Sequence, residues 1–352
     1  MWDSIVIGAG QAGLSTSFHL RRLGVPHVVL DANPHPGGAW QHRWDALTMA
    51  DVNGIADLPN APLPPADGPE RANVFVPGYF SDYERHHDLP VERPVVVRAV
   101  LDDGGVLRVE SKDGRTWHSR TLVNATGTWR RPFLPHYPGR ESFRGEQLHT
   151  SEFRAPEHFR GKRVLVVGGG ISAVQFLGLV RPITDTVWVT RREPVWHTGE
   201  FDEQAGREAV ARVEERVRRG LPPRSVVSVT GLLLRPQEQE AARLGAYERR
   251  PMFERIEPDG VRWADGTFEP VDAIIWATGF RPDVEHLAPL HLRSRLGGIQ
   301  LGDTLATSTT AVVDPRIQLV GYGPSASTIG ANRAGRVAAR AVARQLEPAQ
   351  AS

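Results

Sequence analysis

Two stretches of this chain repeat one plan. Residues 4–31, SIVIGAGQAGLSTSFHLRRLGVPHVVLD, read as strand, glycine turn, helix and strand, and residues 163–190, RVLVVGGGISAVQFLGLVRPITDTVWVT, read the same way. Each is a βαβ pattern in which a short apolar run enters a glycine-rich turn and a helix follows. Gly8, Gly10 and Gly13 give G-x-G-x-x-G; Gly168, Gly170 and Ala173 give G-x-G-x-x-A. The first glycine permits the tight turn, the second lets backbone approach a pyrophosphate, and the third small residue lets helix and strand pack closely. The helix N-terminus then offers unpaired N–H groups to the anion. Two copies in 352 residues predict two dinucleotide-binding modules.

The two copies differ where the second strand ends. Asp31 lies 23 positions after Gly8, placed to bond ribose hydroxyls; the same step from Gly168 reaches Arg191, with Arg192 beside it. A carboxylate repels a 2′-phosphate, whereas a guanidinium binds one bidentately. The first module therefore suits a dinucleotide with a free 2′-hydroxyl and the second suits NADPH.

Two strand ends share a triplet, NATGTW (124–129) and WATGF (276–280), each near an expected crossover between modules. Residues 37–94 are rich in Pro and Trp and read as an insertion, with FSDYERHHDL (80–89) as one helix. Residues 95–124 read as an antiparallel meander and 130–162 as an irregular connector. A long amphipathic helix is expected over 200–220, strands over 225–234, 271–279 and 316–323, a closing helix over 327–346, and a frayed tail at EPAQAS. The fold expected is α/β, with two Rossmann-like dinucleotide-binding domains, one inserted into the other: 1–155, then 156–277, then a return over 278–352.

Composition narrows the chemistry. The chain has no cysteine, which excludes disulfides, thiolate metal sites and dithiol redox chemistry. A formal net charge of +1 and the lack of a basic block give no nucleic-acid surface. The scattered histidines form no metal-ligand spacing, so no metal is expected. No apolar run is long enough to span a membrane. The strand pattern begins almost at once, which leaves no room for a leader, so a cytoplasmic address is expected.

These motifs together resemble the class B flavoprotein monooxygenases, which include flavin-containing monooxygenases, Baeyer–Villiger monooxygenases, N-hydroxylases and the YUCCA type. GAGQAG looks like the family's FAD turn, GGAW (37–40) its G-G-x-W segment, GGGISA its NADPH turn, and the two ATG segments its crossovers. ESFRGEQLHTSEF (141–153) resembles the family's F-x-G-x3-H-x3-F signature. Phe153 is followed by Arg154, which fits YUCCA-like or N/S-oxygenating relatives better than Baeyer–Villiger ones.

The resemblance implies FAD and NADPH as cofactors. Cofactor contacts are expected from Gly8, Gly10, Gln11, Ala12, Gly13, Asp31, Gly38, Trp40, Val97, Ala125, Thr126 and Gly127. In the second module and the return they are expected from Gly168, Gly170, Ser172, Ala173, Arg191, Arg192, Ala277, Thr278, Gly279, Gly323 and Thr328. The family's reaction implies NADPH reduction of FAD, a C4a-(hydro)peroxyflavin formed with O2, and transfer of one oxygen to a small organic substrate by N/S-oxygenation or YUCCA-like oxidation. An FAD-dependent reductase or oxidase without productive oxygen transfer is the alternative. No catalytic side chain is assigned. His149 is expected to couple nucleotide binding to domain position, with Phe143 and Phe153 as anchors on either side of the hinge and Gly145 as its bend. Trp40, Trp44, Tyr79, Phe80 and Tyr83 are candidate pocket walls; ordinary core packing is the alternative for each and the better reading for most, Trp40 being the exception through the G-G-x-W match. No nucleic-acid or membrane partner is expected, and a homodimer is left open.

Overall fold

The structure, a computed structural model, describes residues 1–52, 54–196, 203–223, 232, 234 and 238–347. In chain order, the first part comprises β1 (Trp2–Ile7), α1 (Gln11–Arg22), β2 (His27–Leu30), α2 (Ala72–His86), β3 (Val91–Glu92), β4 (Val97–Asp103), β5 (Val106–Ser111) and β6 (Thr116–Asn124). There follow β7 (Glu146–His149), β8 (Val164–Val167), α3 (Ile171–Val180), β9 (Thr186–Val189), α4 (Glu203–Arg218) and β10 (Arg249–Arg250). The chain ends with β11 (Arg255–Glu257), β12 (Gly260–Arg262), β13 (Phe268–Pro270), β14 (Ala273–Trp276), β15 (Ile317–Leu319) and α5 (Thr328–Leu346).

The chain divides into two compact units. The first is Met1–Thr128, Arg207–Val226 and Pro282–Ser352; the second is Trp129–Gly206 and Val227–Arg281. In the first unit the strands run β3-β2-β1-β6-β5-β4, with β15 also on β6. β1, β2, β3 and β15 join this sheet in parallel, while β6, β5 and β4 form the expected meander. Successive β1 side chains point to opposite faces, and both faces are buried. Val6 packs with Leu14, Phe18, Val76, Phe80 and Ala338 of the helices, whereas Ile5 and Ile7 pack with Leu107, Val109 and Leu287.

The second unit holds an all-parallel sheet, β10-β9-β8-β14-β7, and a small antiparallel sheet, β11-β12-β13. Leu165 and Val167 of β8 face a core with Trp276, Phe253 and Trp263.

Three expectations change. The units part at 128 and 281 rather than at 155 and 277, because β7, inside the supposed irregular connector, pairs in parallel with β14 from Glu146↔Ala273 to His149↔Trp276. From Arg207 onward α4 groups with the first unit: Val217 lies in its core, and the Gly220 carbonyl accepts from Gly298 N–H (3.0 Å) and Ser294 Oγ (2.5 Å). The helix expected over 80–89 is α2, which begins at Ala72 and runs through Pro77, a residue that reads as a breaker in sequence. Of the strand expected over 225–234 only Leu232 and Leu234 are described, and Leu232 makes a parallel bridge to Trp196, its N–H bonding the Val195 carbonyl at 2.8 Å. Among the described residues no helix is long and apolar enough to cross a membrane.

The two helices over the glycine-turn face, α1 and α5, meet through small residues. A Cβ on Gly335 would sit 2.7 Å from Ser15 Oγ and 2.9 Å from Thr16 N. Gly335→Ala is therefore expected to destabilise by about 1–3 kcal/mol through overpacking. Gly78→Ala, on an exposed helical position with nothing within 4 Å, should instead stabilise by roughly 0.5–1 kcal/mol. Denaturant melts of the two variants check the opposite signs.

Candidate functional site

The first turn is built by backbone crowding. Gly8 adopts φ +102°, and a Cβ there would lie 2.6 Å from the Ala125 carbonyl oxygen at the end of β6. Gly13 sits so close that its Cβ would be 1.8 Å from the Gly8 oxygen. Gly10 differs. Its backbone is extended (φ −84°, ψ −171°), which any residue adopts, and nothing lies within 4 Å of its Cβ position. Neither strain nor protein packing calls for glycine there; approach of a ligand does. Gly10 is also the N-cap of α1 and no side chain caps it, so first-turn N–H groups remain open to an anion. Ala12 is buried in this helix, and Gly38 (φ +54°) leans on the turn, its Cβ position 2.9 Å from Gly10 Cα.

Gln11 joins three segments at the head of α1. Its Nε2 donates to the Ala56 carbonyl (3.0 Å) and to Asn332 Oδ1 (3.1 Å) on α5. Thr328 Oγ1 accepts the Ala56 N–H at 3.1 Å, and Asn332 Nδ2 donates to the Asp57 carbonyl. Gln11 Oε1 is buried with no partner among the described residues. Ser327 caps α5 by accepting the Gly330 N–H at 3.1 Å. Gly323 (φ +59°) is explained by packing, since its Cβ would lie 2.7 Å from Val217 Cγ2.

Asp31 ends β2 and is buried. Arg93 Nε approaches its Oδ2 at 3.4 Å and Asn33 Nδ2 its Oδ1 at 3.3 Å. Burial pushes the Asp31 carboxyl up, against the opposing pull of Arg93 and of the Asn33 and Ala9 N–H groups. Val97 opens β4 with its side chain half-buried against the meander core. Trp40 is half-buried against the helix-side core, with the Arg43 guanidinium 5.5 Å from its ring centroid. Burial draws Arg43 down to about 10.

The other candidate pocket aromatics are structural. Tyr79 accepts the Leu58 N–H (2.7 Å) and donates to the Ala61 carbonyl (2.6 Å), and Tyr83 donates to the Pro59 carbonyl (3.0 Å). Phe80 and Trp44 are buried. The hydroxyls of Tyr79 and Tyr83 pin residues 58–61 to α2, and Phe80 and Trp44 pack in the interior.

The second turn repeats the first. Gly168 adopts φ +146°, and its Cβ would lie 2.2 Å from the Ala277 carbonyl oxygen. Gly170 is again an extended N-cap (φ −109°, ψ 176°) without side-chain capping and with nothing within 4 Å. Ala173 is fully buried and Ser172 half-buried. Trp188 Nε1 donates to the Gly168 carbonyl at 2.7 Å. Beyond β9, Thr190 Oγ1 donates to the Arg192 carbonyl at 2.6 Å, leaving Arg191 and Arg192 exposed. Arg249 reaches Thr190 Oγ1 at 2.8 Å and pairs with Glu193, a neighbouring cation that motif spacing had not indicated.

The ATG segments are tied down inside their own units. In the first, Thr126 Oγ1 donates to the Asp283 carbonyl (2.5 Å), and the Asp283 N–H bonds the Gly127 carbonyl (2.9 Å). In the second, the Phe133 N–H bonds the Gly279 carbonyl (2.9 Å), the Arg281 N–H bonds the Arg131 carbonyl (2.8 Å), and Thr278 Oγ1 donates to the Phe133 carbonyl. Trp129 stacks on Phe280 with centroids 5.1 Å apart.

His149 belongs to this second tie. It is fully buried, Nδ1 accepts the Ser151 N–H (3.1 Å), and Nε2 therefore donates to the Gly279 carbonyl (3.0 Å). Its ring meets Phe280 edge-on at 4.8 Å. Burial pushes His149 down, so it is a neutral imidazole. Phe143 and Phe153 both lie within the second unit, correcting their expected placement on either side of the hinge: Phe143 joins the Trp276 core and Phe153 packs on Phe159 and Phe176. Gly145 is required by crowding, its Cβ position being 2.4 Å from the Asp272 carbonyl oxygen and 2.5 Å from the Phe143 ring.

Two glycine turns, each with an open second glycine, define a frame of two dinucleotide-binding modules. Residues 2–313 match the pyridine nucleotide-disulphide oxidoreductase family. The solved structure of a flavin-containing monooxygenase from Stenotrophomonas maltophilia is 38% identical, with a TM-score of 0.83 over 97% of this chain and 98% of that one. An indole-3-pyruvate monooxygenase of the YUCCA type from Oryza sativa subsp. japonica is 29% identical, over 80% of this chain and 77% of its own length. A bacillithiol disulfide reductase from Bacillus cereus (16% identical, TM-score 0.73, covering 97% and 99% of the two chains) shares the fold. The chain belongs to the pyridine nucleotide-disulphide oxidoreductase family and, within it, to the flavin-containing monooxygenases. It is a flavoprotein monooxygenase working with FAD and NADPH.

The His149 assignment has a pH signature. Its folded pKa is depressed, so the unfolded chain takes up the proton first, and stability falls as pH drops below the unfolded value of about 6.5. His149→Gln should lose part of that slope. Chemical denaturation at about pH 7.5 and 5.5 measures it; an unchanged pH slope would show that His149 is not the buried neutral group described.

Proposed function

We propose that the first unit holds FAD and the second NADPH, and that the chain oxygenates a small organic substrate carrying a nucleophilic nitrogen or sulfur or a 2-oxo acid. The observation that supports this most strongly is the repeated turn, in which the second glycine is needed by neither backbone nor packing. The residues present fit both cofactors. The open N-termini of α1 and α3 suit the two pyrophosphates. Gln11 Oε1, buried without a partner among the described residues, is an acceptor left for a ligand.

When bound, NADPH supplies two electrons to the flavin, and the reduced flavin activates O2. The chain's own residues bind, orient and exclude water. Asp31 accepts the ribose hydroxyls of FAD. Arg191 and Arg192 take the 2′-phosphate of NADPH, a role for which their exposure leaves them available. Gly38 and Trp40 line the approach to the flavin, and the capped head of α5 brings Thr328 and Asn332 to the Gln11 network. His149, neutral and fully bonded, moves no proton. It holds the Gly279 carbonyl of the second crossover in place. The absence of cysteine argues against dithiol chemistry of the disulfide-reductase kind.

Two experiments test the proposal. Arg191→Ala with Arg192→Ala should raise KM for NADPH roughly thirtyfold, the loss of about 2 kcal/mol of charge-assisted bonding, with KM for NADH little changed. Turnover under 18O2 with a panel of amines, sulfides and 2-oxo acids should place label in an organic product. If every substrate leaves all NADPH electrons in hydrogen peroxide, the chain is an oxidase and the oxygenation proposal fails.

A further inference from the structure

Behind the first turn lies a buried group of charges that the cofactor reading does not use. Arg93, following β3, sets Nη1 and Nη2 on the two carboxylate oxygens of Glu84 from α2, at 2.6 and 2.7 Å, and leaves only Nε facing Asp31 Oδ2, at 3.4 Å. The side chains of Asp31, Glu84 and Arg93 are 5%, 10% and 14% exposed. Two carboxylates thus share one guanidinium nearly out of water, and they share it unequally. Glu84 takes the short two-pronged contact, the strongest geometry available to such a pair.

We propose that Glu84 is a positioning residue: it holds Arg93 away from a two-pronged bridge with Asp31, and so keeps the Asp31 oxygens free to accept the ribose hydroxyls of the adenine dinucleotide. The inference rests on the reading of Asp31 as the ribose acceptor. The remaining groups facing Asp31 are weak or neutral. Asn33 Nδ2 stands 3.3 Å away, its orientation set by His42 Nε2 at 2.8 Å from Asn33 Oδ1, and the Asn33 and Ala9 N–H groups complete the described surroundings. A buried carboxylate with one long ionic contact is under-compensated, which agrees with the upward push on Asp31. Ribose hydroxyls supply the missing donors. Without Glu84, Arg93 could turn its Nε–Nη edge onto Asp31 and occupy those positions itself.

The test is FAD titration of the apoprotein, followed by flavin fluorescence between about pH 4.5 and 8. Glu84→Gln should weaken FAD about fivefold at neutral pH, the loss of roughly one hydrogen bond. This sign is informative, because removing a negative charge should by simple electrostatics tighten binding of an anionic cofactor. Binding weakens as pH falls through the Asp31 pKa. That acid limb should move to lower pH in Glu84→Gln, where Asp31 gains the full guanidinium, and to higher pH in Arg93→Gln, where it loses its cation. Glu84→Asp should restore much of the affinity. Tighter or unchanged binding in Glu84→Gln, or weaker binding in both variants with no displacement of the limb, would overturn the proposal. Asp31→Asn separates the two levels. Unchanged FAD affinity there would refute the ribose reading itself, whereas a loss there with none in Glu84→Gln would refute only the role of Glu84.

Discussion

The contact on which each unit depends is backbone against backbone: the first glycine of a turn pressed onto the carbonyl of a crossover alanine. At Gly8 the partner is Ala125 and at Gly168 it is Ala277, and in neither place is there room for a Cβ. The first strand of the βαβ unit and the strand that leaves it must lie side by side for this to happen, as β1 does with β6 and β8 with β14. The same closeness turns the next residues outward, so the second glycine faces open space at the head of a helix with uncapped N–H groups. Each proposed anion site is thus a by-product of packing one element lower in the fold.

On the proposed reading, identity of ligand is then decided by charge. The first unit ends its second strand in a carboxylate sunk among Arg93, Glu84 and Asn33; the second ends in two exposed guanidinium groups. A buried acid offers acceptors to hydroxyl donors and disfavours a further phosphate, and an exposed arginine pair does the reverse. On that reading one backbone device serves two nucleotides without changing shape.

Much of this was legible in the sequence because it is local. Glycine spacing, strand-end residues and the ATG triplets all lie within a few residues of the atoms they control. What escaped has long-range causes. β7 is a short, mostly polar run that becomes a strand only because β14 offers an edge. The start of α2 was hidden by Pro77 and Gly78, which tertiary packing overrides. Core packing is the better sequence reading of Tyr79 and Tyr83, and what escaped is where their hydroxyls go, the 58–61 loop. The Gln11–Ala56–Asn332 network and the Glu84–Arg93–Asp31 group join residues far apart in the chain, and no motif announces them. His149 was legible as a marked position, and its buried, neutral bonding to Gly279 needed the coordinates.

The most direct test of two separate dinucleotide sites uses the glycines that the protein itself does not need. Gly10 and Gly170 have ordinary extended backbone and open space at Cβ, so valine should be tolerated by the fold at either position. Bound FAD and the rate of flavin reduction by NADPH, measured in Gly10→Val and Gly170→Val, should separate cleanly. Gly10→Val should lose FAD while keeping the wild-type melting behaviour of the apoprotein, and Gly170→Val should keep FAD but lose reduction by NADPH. Retention of FAD by Gly10→Val, or normal reduction in Gly170→Val, would contradict the account.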